Sequence, residues 1–81
     1  MLNLEVLARR EGEAWARWRL HQLRALGQPI PSHWPGIFAV AYITAEDLAS
    51  ARAIHVRDIQ KLAQLINDYA AETWTALVQA A

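Results

Sequence analysis

The stretch at residues 44–80 reads TAEDLASARAIHVRDIQKLAQLINDYAAETWTALVQA. It contains neither glycine nor proline, the two residues that most readily interrupt a helix. Thr44, followed by Glu46 and Asp47, has the form of an N-cap with carboxylates in the first turn. The spacing therefore predicts a helical segment over 45–80. Leu48, His55, Ile59, Leu62, Ile66, Tyr69, Thr73, Ala76 and Ala80 recur at intervals of three, four or seven and should form one seam. An unbroken helix of about 35 residues would be about 52 Å long. A compact chain of this size has a diameter near ~30 Å. The segment must then bend or break, with 50–53 and 67–68 as the candidate points, or protrude and pack on a second copy. Ala53 is expected inside a helix, where glycine in its place would destabilise by about 0.5–1 kcal/mol.

Upstream lies IFAVAYI, residues 37–43. Its β-branched and aromatic content suits a strand. No second strand is visible for it to pair with, so a short buried helix is the preferred reading. Before it comes GQPIPSHWPG, residues 27–36, where three prolines and two glycines form a stiff connector. The first segment, about 3–26, reads as a helix capped by Asn3 and stopped by Gly27 with Pro29 beyond. On a helical wheel Leu4, Leu7, Ala8, Glu11, Trp15, Trp18, Gln22, Ala25 and Leu26 share one arc, the expected buried face. Arg10, Glu13, Arg17 and Arg24 lie opposite. The fold class is all-α: a small helical bundle with a long N-terminal helix, a proline-rich connector, a short apolar helix and a long C-terminal helical segment. It forms one domain, 1–81.

Composition narrows the function classes. The chain is 54% hydrophobic, enough for a core, and four tryptophans help a short chain bury surface. Formal net charge is zero, which gives no large electrostatic footprint for nucleic acid. Residues 1–36 carry five basic and three acidic groups, and residues 37–81 three and five. No cysteine is present. With no secretory signal read near Met1, the expectation is a reducing, cytoplasmic setting. The longest apolar run is too short for a membrane span.

No constellation for catalysis or cofactor binding emerges, and neither an enzyme, a metal nor a cofactor is expected. His21, His33 and His55 have no partners at metal-ligand spacing. His55 falls in the apolar seam, where a hydrogen-bonded core histidine is the expectation. Ser32 and Ser50 lack a nucleophile-elbow setting. Glu11/Glu13, Glu46/Asp47 and Asp68/Glu72 fit helix starts and solvated faces. Trp34, between His33 and Pro35, either lids the core or anchors a partner. The sequence points to a protein–protein interaction role with self-association as a dimer. The candidate contact residues are Trp34, Ile59, Ile66, Tyr69 and Trp74.

An alternative rests on DLASARAIHVRDIQKL, residues 47–62. Leu48-Ala49, a small residue at Ala53, aliphatic Ile54, then Ile59 and Leu62 resemble the helix-turn-helix of bacterial and phage repressors. That pattern has glycine at the turn where this chain has Ala53. The resemblance implies a DNA-binding regulator with Arg57, Gln60, Lys61 and Gln64 facing the major groove. Against it, the sequence reading expects a continuous helix at Ala53 and no specific DNA binding.

Overall fold

The computed structural model describes residues 3–80. Met1, Leu2 and Ala81, the ends of the domain as read from the sequence, lie outside the described residues. The all-α expectation holds. Three helices follow in order: α1, Leu4–Ala25; α2, Phe38–Arg52; and α3, Ile59–Ala80, preceded by a single 3₁₀ turn, Val56–Asp58. The ensemble measures 39 × 20 × 16 Å.

Local chemistry sets the helix ends. Asn3 Oδ1 accepts from the backbone N–H of Glu5 at 2.9 Å and of Val6 at 3.4 Å, capping α1 as expected. At the other end Gly27 takes φ 65°. Its N–H donates to Arg24 and that of Gln28 to Leu23, a paired closure that glycine permits without strain. Of the apolar stretch 37–43, residues 38–43 are helical, as the start of α2 and not as a separate helix. Ile37 is the extended residue before α2, which runs straight through Thr44. Thr44 is therefore no cap; its Oγ1 donates back to Val40 O at 3.0 Å.

The long segment does break, at Ala53. This residue ends α2 in the left-handed conformation, φ 56° and ψ 37°, and is the one non-glycine with positive φ among the described residues. The Ala53 N–H closes on Ala49 O, and Ile54 N donates to the same oxygen at 3.0 Å. His55 then starts the next element: its Nδ1 accepts from Arg57 N at 3.1 Å. Ala53 is thus not in a helix interior, and the exposed His55 is a cap and not a core histidine. With the break in place, α3 has 22 residues and spans about 33 Å, so no helix protrudes.

Contacts fix the directions of the chain. Leu7 and Ala8 pack with Leu62, Ala63 and Ile66, whereas Ala16, Leu20 and Leu23 pack with Ala70 and Trp74. α1 and α3 therefore run parallel. α2 buries Ala41, Ala45 and Ala49 against the first half of α3. The connector covers the second half. Pro31 O accepts from Trp74 Nε1 at 3.0 Å, and Trp34 Nε1 donates to Asn67 Oδ1 at 3.1 Å. Trp34 also meets Trp15 edge-on at 4.7 Å and Trp74 at 5.4 Å, arrangements that aromatic quadrupoles favour.

The helix–helix contacts are tight because small residues make them. At Gly12 an added Cβ would lie 2.7 Å from Ile66 O and 2.8 Å from Ala70 N. This close approach turns α1 about a quarter turn from the expected face. Ala8, Gly12, Ala16, Leu20 and Leu23 point inward. Of the residues expected inside, Leu7 and Ala8 are buried, Leu4, Glu11, Trp15 and Gln22 are half-buried, and Trp18, Ala25 and Leu26 are exposed.

Candidate interaction surface

α1 and α2 each pack on α3 and barely touch each other. A groove is left between them. One part, about 270 Å³, is lined by Glu11, Ala14, Trp15 and Trp18 of α1, Thr44 of α2 and Ile66 of α3. The adjoining part, about 280 Å³, runs past Trp15, Trp18 and Arg19 to Pro35, Gly36, Ile37 and Val40. Trp18 borders both parts and is 57% exposed.

The α2 side of this groove is unusual in chemistry. Helices at a protein surface normally carry one apolar stripe and an opposite polar face. The first two turns of α2 read Phe38-Ala-Val-Ala-Tyr-Ile43 and are apolar all the way round. Only Ala41 of these six is buried. Ile37 is 67% and Ile43 58% exposed, with Phe38, Val40 and Tyr42 exposed beside them. Trp18 faces this apolar end across the groove.

The residues singled out from the sequence are placed differently. Trp74 and Ile66 are essentially inaccessible, and Ile59 is buried; each is built into the chain's own core. Trp34 is half-buried and lids the second cluster. Tyr69 is half-buried, with the Arg9 guanidinium 5.0 Å above its ring, a cation–π contact. Its interaction with Tyr69 raises the Arg9 pKa above the ordinary arginine value. Thr73 is half-buried and Ala76 exposed. The seam expected along α3 thus gives way, beyond Ile66, to Ala70 and Trp74. Gln60, Lys61 and Gln64 lie exposed on the first turns of α3, and Arg57 is exposed in the 3₁₀ turn before it.

The residues weighed for chemistry stay apart: Ser32 is exposed in the connector and Ser50 on α2. Among the described residues, no three His, Cys, Asp or Glu side chains gather where a metal could sit, and no helix is long and apolar enough to cross a membrane. The exposed Trp18 and the α2 surface were missed by the periodicity argument, which assigns the largest apolar residues to the inside. The usable signal was the run of small residues Ala8, Gly12 and Ala16 at four-residue spacing, which marks a close helix contact. Comparison with protein-family models, with curated proteins and with solved structures finds no match.

Proposed function

We propose that the chain is a small non-enzymatic interaction module that self-associates as a two-fold dimer through the α1–α2 groove and the apolar end of α2. The observation that carries this reading is the exposed, all-round apolar start of α2. A helix of that composition is normally covered on every side, and large exposed apolar patches mark interaction sites. Trp18 adds the type of side chain that anchors interfaces.

A second copy fits the groove by charge. Glu11 lies on one part and Arg19 on the other, with Trp18 between them. A two-fold interface brings residue i against residue j and residue j against residue i. Two grooves meeting antiparallel across the two-fold axis would set Glu11 of each copy against Arg19 of the other. A cysteine-free chain suits the reducing cytoplasm, which we take as its setting.

Ile37→Asp tests the proposal without harming the fold. Ile37 occupies the N-cap of α2 and makes no side-chain capping bond. Asp is a favoured cap, worth about 0.5–2 kcal/mol over an apolar residue. The variant should melt no lower than wild type while placing a carboxylate in the groove. Sedimentation at tens of micromolar should show a dimer for wild type and a monomer for Ile37→Asp. A monomeric wild type, or a variant that still dimerises fully, would remove the reading.

A further inference from the structure

We infer that the cleft between the C-terminal halves of α1 and α3 binds an acidic helix of a partner protein, with Arg17, His21 and Arg24 meeting its carboxylates and Leu20 and Leu77 its apolar residues. The cleft shares no lining residue with the α1–α2 groove, so the inference stands apart from self-association.

Charge carries the argument first. The zero net charge of the chain conceals a separation. No aspartate or glutamate occurs from Ala14 to Ala45 or from Thr73 onward. Because α1 and α3 run parallel, their C-terminal halves share one end of the molecule. That end carries Arg17, Arg19 and Arg24, while the other five basic residues share the rest of the chain with all eight acidic ones. Glu13 and Glu72, the next carboxylates along the two helices, both act on Arg9. Arg19 is engaged by its own helix, its Nη1 donating to Gln22 Oε1 at 2.6 Å. Among the described residues the side chains of Arg17, His21 and Arg24 make no hydrogen bond. An arginine in the last turn of a helix answers the helix dipole, which accounts for Arg24. Arg17 lies about two turns earlier, where that field has fallen away.

Shape comes second. Arg17, His21 and Arg24 are all exposed. They stand at i, i+4 and i+7, within about 60° of arc and along about 10.5 Å of helix axis. The cleft beside them has a volume of about 240 Å³ and is completed by Leu20 and Leu77. Leu20 is buried and Leu77 half-buried, so the floor is apolar. Thr73, Ala76 and Ala80 share an arc of α3 with Leu77 and are too short to hold a second helix away.

The combination selects the occupant. A phosphate backbone would match the cations but has nothing to lay on Leu20 and Leu77. An amphipathic helix with carboxylates at the same spacing, and an apolar residue beside them, satisfies both. The arginine fork also pairs with a carboxylate through two parallel hydrogen bonds.

The probe is a synthetic, end-capped, dye-labelled helical peptide with Glu at i, i+4 and i+7 and Leu at i+3. It is titrated with the full chain and followed by fluorescence anisotropy, beside the same peptide with Gln for Glu and beside labelled oligothymidylate. The Glu peptide should bind, with affinity falling as salt rises, and the Gln peptide should bind more weakly. A chain carrying both Arg17→Ala and Arg24→Ala should keep wild-type helicity and melting and bind the Glu peptide roughly 2- to 30-fold more weakly. The inference is overturned if the Glu peptide does not bind, if the Gln peptide binds as tightly, or if the double variant binds as wild type does. Oligothymidylate that binds more tightly than the Glu peptide overturns it too, by assigning the cleft to phosphate. Sedimentation should give the double variant the same self-association as wild type; a loss would assign the cleft to a second copy and overturn the inference.

Discussion

Replacing Ala53 by glycine should raise the stability of the fold. The φ, ψ pair of Ala53, 56° and 37°, lies close to the centre of the left-handed region. A residue with a Cβ is held there at a cost of about 1–2 kcal/mol. Glycine removes that cost. It also adds freedom to the unfolded chain, which takes back about 0.4–1 kcal/mol. Ala53 is exposed, so its methyl contributes little packing to lose. The balance is a gain of about 0.5–1 kcal/mol, or a melting temperature higher by about 2–8 °C for a domain of this size. Thermal and urea unfolding followed by circular dichroism would read it. A continuous helix through residue 53 gives the opposite sign, a loss of about 0.5–1 kcal/mol. A fall in melting temperature would therefore refute the broken-helix description.

Other substitutions test other parts of the fold. Gly12→Ala should destabilise by about 1–3 kcal/mol, because the new methyl meets the backbone of Ile66 and Ala70, which cannot rotate away; a neutral or stabilised variant in urea titration would mean that α1 and α3 are not so close. His55→Ala should cost about 0.5–2 kcal/mol by removing the acceptor for Arg57 N, and His55→Asn should recover part of the loss in the same melts. Trp74→Ala should cost about 3–5 kcal/mol, enough to unfold much of a domain this small, because Trp74 is fully buried and bonded to Pro31 O. A Trp74→Ala chain that melts as wild type does would return Trp74 to the surface.

The helical class, the Asn3 cap, the Gly27 stop and the connector could be read from the sequence because each depends on local chemistry. Asn3 needs only the N–H groups of its own helix, and Gly27 only its missing Cβ. The break near Ala53 was among the expected points. Only the helix-turn-helix alternative placed a turn at Ala53; the preferred reading kept it helical, because alanine is a strong helix former and its left-handed state is fixed by the packing of Ala49, Ile59 and Leu62 on either side. Thr44 misled for the converse reason: as a cap it looked complete, but the apolar residues before it continue the helix and turn its hydroxyl back to Val40.

The inward faces failed in two physical ways. In α1 the wheel gave the interior to Trp15 and Trp18, yet the helix axes approach so closely at Gly12 that only small residues fit there. Trp15 is left half-buried and Trp18 exposed. In α3 the chosen spacing averaged 3.5 residues per turn, whereas a straight helix has 3.6 and drifts by about 20° per heptad. Ile59, Leu62 and Ile66 were placed correctly inside. By the third heptad the interior had passed to Ala70 and Trp74. The groove was illegible for the same reason: its Trp18 wall had been assigned to the core.

If a second copy covers this groove, Glu11 of one protomer lies against Arg19 of the other. Sedimentation equilibrium on Glu11→Arg, Arg19→Glu and the double swap tests it most directly. Each dimer contains the pair twice, and even a solvent-exposed pair is worth about 0.2–1 kcal/mol. Losing the attraction alone weakens dimerisation by roughly 2- to 30-fold, and the like charges that either single variant brings together should weaken it further. The double swap should return it close to wild type, since opposite charges again meet across the two-fold axis. Singles that dimerise like wild type, or a double swap no better than the weaker single, would contradict the claim.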